Sequence, residues 1–143
     1  MNQINESIVE DAALTWFGEL GYAIAIGVER LAELTGKTSV DHAAREIEFV
    51  MAVGPSYFIE IAKLRAARLL WAQAVAAFSP KSPDACAMRL HVRTPRRNKS
   101  TFDQHTNLLR AATEALSAVI GGCDRLTIEA FGFDEHLSVN IQR

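Results

Sequence analysis

Hydrophobic residues recur every three or four positions along three long stretches of the chain, and this period predicts three amphipathic helices. Residues typical of helix ends flank these stretches. Gly36 follows the first stretch, Thr101 precedes the third as its expected N-cap, and the pair Gly121-Gly122 follows the third. The predicted helices cover Asp11–Leu34, Ser56–Phe78 and about Phe102–Ile120.

Two local features add detail to these helices. Thr38, followed three residues later by Asp41, resembles a capping box and predicts a short helix that ends at about Arg45. Arg68 interrupts the apolar stripe of the second long helix. It is either a buried ion-pair partner or an arginine that reaches solvent from the edge of the stripe, and we favour the second interpretation.

Compact apolar runs alternate with the helices and predict buried strands at Ile47–Gly54, Ala85–Val92 and Arg125–Phe131. We expect the first of these to be buried on both faces, as strands of parallel sheets are. A weaker strand is expected at Ile4–Val9, and Asp134–Arg143 resembles a truncated helix. The order β-α-α-β-α-β-α-β-α predicts an α/β protein of consecutive parallel βα units.

A sheet of three or four parallel strands leaves unpaired strand edges on both sides. The chain also stops in the middle of its last predicted helix, without a capping residue. We therefore expect either a part of a larger parallel β/α architecture or a module that completes its sheet by self-association.

Composition narrows the class of protein. The chain has 143 residues, 49% of them hydrophobic, and a net charge of −2, which indicates one globular domain rather than a disordered segment. The near-neutral charge argues against a dedicated nucleic-acid binder. Cys86 and Cys123 are far apart and are expected to be buried thiols in a reducing compartment. No apolar run is long enough to span a membrane and no basic leader is present, so we expect a soluble, cytoplasmic protein.

Two long motifs carry a family resemblance: YFIEIAKLRAARLLWA at Tyr57–Ala72 and RTPRRNKSTFDQHTNLLRAATEALSAVIGGCD at Arg93–Asp124. Both resemble the acyl-CoA mutase barrel of the adenosylcobalamin-dependent methylmalonyl-CoA mutase family. DAALTWFGELGYAIAIGVERL at Asp11–Leu31 is a looser match to the same barrel. The resemblance implies that residues 1–143 form a single domain equivalent to about half of a TIM-type (β/α)8 barrel.

The resemblance also implies which parts of the catalytic machinery differ in this chain. Catalytic members have a Tyr-His pair where Ser7 and Ile8 stand, and an active-site Gln where Arg93 stands. Glu48 replaces a serine, and a carboxylate facing the barrel axis would repel an anionic substrate. The chain lacks the D-x-H-x-x-G motif of the family's cobalamin-binding domain, so we expect this chain to bind no cofactor, with adenosylcobalamin held by a catalytic subunit.

The RTPRRNKS segment is similar to the RTSxxNKT pattern of the family's small, non-catalytic subunits. It follows the carboxyl end of a predicted strand, where parallel β/α sheets bind ligands, and a helix N-terminus comes shortly after it. Acyl-CoA phosphates are therefore one candidate partner of the loop, beside a partner subunit and solvent alone. The candidate substrate-binding residues are His91, Arg93, Arg96, Arg97 and Lys99.

We name no catalytic residue and no metal ligand, because the four histidines lie on different elements without metal-site spacing. Asn107 and Arg110 match positions shared by both subunit types, and we expect them to tie a helix to neighbouring loops. The first functional hypothesis is a non-catalytic structural partner of a catalytic mutase subunit. The alternatives are a homo-oligomeric half-barrel that binds acyl-CoA or acts as an isomerase, and a fragment of a longer gene product.

Overall fold

A computed structural model of the protein describes residues 6–130 and 139–142. Helices and strands alternate along most of this part of the chain, which confirms the predicted α/β class. The helices are α1 (Glu6–Thr35), α2 (Val40–Glu46), α3 (Tyr57–Ala77) and α4 (Gln104–Gly121), with a 3₁₀ helix at Pro83–Cys86. The strands are β1 (Glu48–Ala52), β2 (Arg89–Arg93), β3 (Arg125–Ile128) and β4 (Val139–Gln142).

The four strands form one sheet in the order β1-β2-β3-β4. The first three are parallel, and α3 and α4 make the crossovers between them. This consecutive order is consistent with a segment of an α/β barrel. Phe49 is level with Leu90, and Val92 with Leu126, so side chains of like character share a face of the sheet.

The core lies between the helices and one face of the sheet, because residues at alternate strand positions point toward the helices. Trp71 of α3 is wholly buried, and its ring meets Phe49 of β1 edge to face, with ring centres 4.9 Å apart. Gly27 brings α1 against these two rings. A Cβ atom at Gly27 would lie 2.5 Å from the Phe49 ring and 3.0 Å from Trp71, so no larger residue fits.

Two predictions at the ends of the chain are wrong. Residues 6–9 of the expected first strand belong to α1, while Ile4 and Asn5 lie outside the described residues. A short apolar run cannot be told from a helical turn by its pattern alone. Residues 139–142 of the expected last helix form β4, which pairs antiparallel with β3 and satisfies the backbone groups of its edge; residues 134–138 and 143 are not described.

At the N-termini of two helices the capping residue differs from the predicted one. Ser39, rather than Thr38, caps α2 by accepting a hydrogen bond from the backbone N–H of His42. Asp103, rather than Thr101, caps α4 and accepts a hydrogen bond from the backbone N–H of Thr106. The predicted stop at the glycine pair is confirmed, since Gly122 has φ +90° and ends α4 in the left-handed conformation.

The expectation that the first strand is buried on both faces is also wrong. Phe49 is buried against the helices, but Val50, on the opposite face of β1, is 59% exposed. No described strand pairs with the outer edge of β1. This side of the sheet is therefore open, as expected for a part of a barrel whose remaining strands lie elsewhere.

Candidate functional site

The open face of the sheet carries a row of polar side chains that we call the polar ladder. Parallel register places its members at alternate positions of β1, β2 and β3, and one member directly follows β3, so that they project from one face. The polar ladder consists of Glu48, His91, Arg93, Arg125, Thr127 and Glu129. In a closed barrel this face would line the axis.

Each member of the polar ladder contacts another across the strands. The Arg125 guanidinium lies 2.5 Å from Glu48 Oε1 and spans β2, which separates their strands. His91 Nε2 is 2.8 Å from Thr127 Oγ1. Arg93 donates to Glu129 Oε1 at 2.7 Å. The carboxylate of Glu48, expected to repel an anionic substrate, is therefore balanced by a cation.

The candidate residue Lys99 is buried. Its Nζ lies 2.9 Å from Glu114 Oε2 of α4, and the Lys99 and Glu114 side chains are 2% and 0% exposed. The Asn98 side-chain amide also donates to Glu114, at its other carboxylate oxygen. Lys99 thus holds the loop to α4. Because its side chain is buried, it is not accessible to the phosphates of an acyl-CoA in solution.

Asn107, which precedes Glu114 on α4, holds the next residue of the same loop, Ser100. Its side-chain oxygen accepts from the Ser100 backbone N–H at 2.8 Å, and its amide donates to the Ser100 carbonyl at 2.7 Å. Arg110 donates to the same Asn107 oxygen at 3.1 Å. The predicted role of tying the helix to a neighbouring loop is confirmed for Asn107, whereas the bond of Arg110 lies within α4.

The remaining candidates, Arg96 and Arg97, are exposed at the tip of the loop. Arg97 lines a cavity of about 740 Å³ at the carboxyl end of β1, together with Asn98, Glu60 and Lys63. Lys63 Nζ lies 2.5 Å from Glu60 Oε2 and donates to the Ala52 carbonyl at 3.0 Å. The structure therefore separates the five candidates into two paired on the sheet, one buried and two free of a described ion pair.

Arg68 forms an ion pair, as the less favoured interpretation holds, but the pair is only half-buried, with Arg68 30% and Asp124 47% exposed. Its guanidinium donates to the carbonyls of Gly122 and Met88 and to Asp124 Oδ2, the last at 2.8 Å. The same Asp124 oxygen accepts from the Leu90 backbone N–H. Arg68 thus connects α3 to the end of α4 and to β2.

Sequence reasoning did not find the acidic partners of the basic residues. Glu114, Glu129 and Asp124 lie 15, 36 and 56 positions from the cations they pair with. No local pattern marks such pairs. A weak signal is the position of Glu129 near the end of the predicted strand Arg125–Phe131, two residues past Thr127, which pairs with Arg93 at the end of β2.

The cofactor that the family resemblance implies has no fitting partners on these residues. Of the described histidines, His91 is hydrogen-bonded to Thr127, while His105 on α4 and His42 on α2 are exposed. The described residues also include no cluster of three or more metal-ligating side chains. We therefore derive no chemical step through cobalamin on this chain.

Comparison with known proteins identifies the family. The methylmalonyl-CoA mutase family model matches residues 3–142. The methylmalonyl-CoA mutase small subunit of Porphyromonas gingivalis is 42% identical over 130 residues, which are 90% of this chain and 21% of that protein. The methylmalonyl-CoA mutase large subunit of Streptomyces virginiae is 37% identical over 132 residues, which are 92% of this chain and 18% of that protein.

A third relative, the methylmalonyl-CoA mutase of Cereibacter sphaeroides, is 37% identical over 123 residues, covering 85% of this chain and 17% of the relative. The chain thus spans about a fifth of the length of the relatives it matches. Within the described residues, no helix is long and apolar enough to cross a membrane. With a family match over residues 3–142 and these identities, the chain belongs to the methylmalonyl-CoA mutase family.

Proposed function

We propose that residues 1–143 act as a single partial-barrel domain of a methylmalonyl-CoA mutase small subunit. In this role the chain is a cytoplasmic, non-catalytic structural partner of an adenosylcobalamin-dependent catalytic subunit. That subunit interconverts methylmalonyl-CoA and succinyl-CoA. The chain itself holds neither the cofactor nor the acyl-CoA.

The observation that carries the proposal is the ion pair between Arg93 and Glu129. Arg93 stands where the family resemblance implies an active-site glutamine, and its guanidinium is held by a carboxylate 2.7 Å away. The Glu129 carboxylate offsets the charge of the Arg93 guanidinium, so a substrate anion gains less from Arg93 than from an unpaired arginine. Ser7 and Ile8, at the positions of the catalytic Tyr-His pair, lie within α1 and supply no equivalent acid or base.

Two further features support a structural role. Lys99 is buried against Glu114, so the basic loop stabilises the fold rather than presenting its full charge. β1 leaves an outer edge without a described partner strand, and Val50 is exposed beside it. An open edge and an open face of this kind need cover from other strands, whether of the same protein or of a partner.

A second candidate function is acyl-CoA binding by a self-associating half-barrel. Arg96 and Arg97 are exposed, and Arg97 lines the same cavity as Glu60 and Lys63. Two cations at the carboxyl end of parallel strands suit an anionic ligand. Glu60 and Lys63 in the same cavity form an ion pair and offset each other, so Arg97 alone lines the cavity without a described ion pair, and for this reason we rank the alternative second.

Co-purification with the catalytic large subunit from the same source tests the proposed role. A tagged chain is expected to retain the large subunit on a column, and the complex is expected to turn over methylmalonyl-CoA when adenosylcobalamin is added. The chain alone, given the same cofactor and substrate, is expected to show no turnover. Turnover by the chain alone, or failure to retain the large subunit while folded, would overturn the proposal.

A further inference from the structure

The cavity at the carboxyl end of β1 combines an apolar wall with several polar groups. The apolar wall is formed by side chains of α1, β1 and the basic loop: Leu20, Val50, Met51 and Pro95. The polar groups come from the start of α3 and from the basic loop: Ser56, Glu60, Lys63, Arg97 and Asn98. The cavity volume of about 740 Å³ lies within the range typical of small-molecule sites. The lining therefore suits a small ligand that has both an apolar body and polar groups.

Two features of the cavity attract a negative group. Arg97 is exposed and takes part in no ion pair among the described residues. The second feature is the N-terminus of α3, a helix of 21 residues, where the N-cap residue Ser56 makes no side-chain cap bond. The first N–H groups of a helix lack intrahelical acceptors and carry partial positive charge. A carboxylate in the cavity would therefore meet the Arg97 guanidinium and the positive end of α3.

Two other features supply acceptors for a positive group that donates hydrogen bonds. Asn98 donates its side-chain amide to Glu114, while its side-chain oxygen is buried and accepts no hydrogen bond from a described residue. A buried acceptor without a donor costs free energy, which a ligand N–H group recovers. Glu60 is 4% exposed, and its one described cation is Lys63. Because a carboxylate accepts several hydrogen bonds, Glu60 can also accept one from a ligand.

We propose that this cavity binds a free α-amino acid with an aliphatic side chain. The α-carboxylate binds Arg97 and the N-terminus of α3, and the α-ammonium group donates hydrogen bonds to Asn98 and Glu60. The aliphatic side chain packs against Val50 and Met51. Both charged ends of the ligand are needed. A carboxylate without an amino group leaves the Asn98 oxygen without a donor, and an amine without a carboxylate leaves Arg97 without an anion.

The charges of the cavity distinguish this ligand from an acyl-CoA. The phosphate groups of an acyl-CoA carry several negative charges, which several cations would have to balance. Glu60 and Lys63 offset each other, so Arg97 is the one cation of the lining without a described carboxylate partner. One such cation matches the single carboxylate of an amino acid. This inference does not rest on the proposed function, because a non-catalytic subunit and an acyl-CoA-binding half-barrel would both contain the cavity.

Calorimetric titration of L-leucine into the full chain, up to about 10 mM ligand, tests the proposal, since this range covers micromolar and millimolar dissociation constants. Saturable binding at one site is expected. The matched ligands are 4-methylpentanoate, which is leucine without its amino group, and 3-methylbutylamine, which is leucine without its carboxylate. Each is expected to bind at least about tenfold more weakly than leucine, because each leaves one set of polar groups in the cavity without a partner.

Two neighbouring arginines supply a matched pair of variants. Arg97→Ala is expected to weaken leucine binding at least about tenfold, whereas Arg96→Ala, exposed but outside the cavity lining, should leave it unchanged. Circular dichroism shows whether each variant is folded. A folded chain that gives no saturable heat with leucine would overturn the proposal, as would equal binding of 4-methylpentanoate or equal weakening by Arg96→Ala. Titration of methylmalonyl-CoA into the same sample tests the proposed function separately.

Discussion

Lys99 Nζ lies 2.9 Å from Glu114 Oε2, and both side chains are almost completely removed from solvent. A lysine that the sequence places in a basic loop is thus part of a buried ion pair that joins the loop after β2 to α4. An ion pair of this kind contributes little net stability by itself, but the loss of one partner leaves an uncompensated charge. The pair therefore makes the conformation of the loop dependent on α4.

Lys99→Met is expected to lower the free energy of unfolding by about 3–5 kcal/mol, because it leaves the Glu114 carboxylate buried without its cation. Urea unfolding at neutral pH measures the loss. Arg96→Met, three residues earlier and exposed, serves as the control and should change stability by no more than about 0.5 kcal/mol. The double variant Lys99→Met/Glu114→Leu should recover most of the loss. A single variant as stable as the wild type would show that the charge is not buried.

Arg68→Met is expected to destabilise the protein by about 2 kcal/mol, because it removes charge-assisted hydrogen bonds to the Gly122 and Met88 carbonyls and to Asp124. Arg65→Met, on the same helix and with one bond of 3.2 Å, should cost less than about 1 kcal/mol. Thermal and urea unfolding of both variants test the difference. Equal losses would mean that the additional hydrogen bonds of Arg68 contribute no net stability.

Gly27→Ala is expected to destabilise the protein by about 1–3 kcal/mol, because its Cβ would overlap the rings of Phe49 and Trp71. Gly21→Ala, in the same helix, places its Cβ in open space and should stabilise by about 0.5–1 kcal/mol through helix propensity. The two substitutions are expected to change the free energy of unfolding, measured from the unfolding curves, in opposite directions. Stabilisation by both substitutions would contradict the close contact of α1 with β1 and α3.

Stability should fall in acid partly through Asp41. The backbone N–H groups of Lys81 and Ser82 donate to its carboxylate and hold the pKa of Asp41 below its usual value of 3.8. A carboxyl whose pKa is lowered by folding stabilises the protein above its unfolded pKa, and this contribution is lost as the pH falls through the folded pKa. Asp41→Asn should therefore reduce the slope of stability against pH below about 4. An unchanged slope in denaturant unfolding would contradict this linkage.

The sequence predicted the elements whose hydrophobic repeat extends over many residues, but it did not predict the contacts between the elements. The helix expected at Ser56–Phe78 is Tyr57–Ala77, because its apolar stripe spans six turns and permits no other structure. The strand expected at Ile4–Val9 had only a few residues of pattern to support it, and residues 6–9 are helical. Short patterns fail because a strand and a single helical turn look alike.

The candidate site shows the same limit of sequence-based prediction, because the sequence indicates residues but not their partners. The basic residues were found because they cluster in sequence, whereas the pairing of Arg93 with Glu129 depends on the register of β2 and β3. Register is set by packing of the whole sheet and cannot be read from one strand. Whether an arginine has a carboxylate partner affects its role. An unpaired arginine is available to bind an anion, whereas Arg93, paired with Glu129, connects parts of the sheet.

Calorimetric titration of methylmalonyl-CoA into the purified chain tests the central claim most directly, since a non-catalytic structural partner has no acyl-CoA site of its own. A well-folded sample is expected to give no saturable heat, and Arg96→Ala/Arg97→Ala is expected to behave as the wild type does. Saturable binding that weakens in the double variant would contradict the account and assign the exposed end of the basic loop to the acyl-CoA.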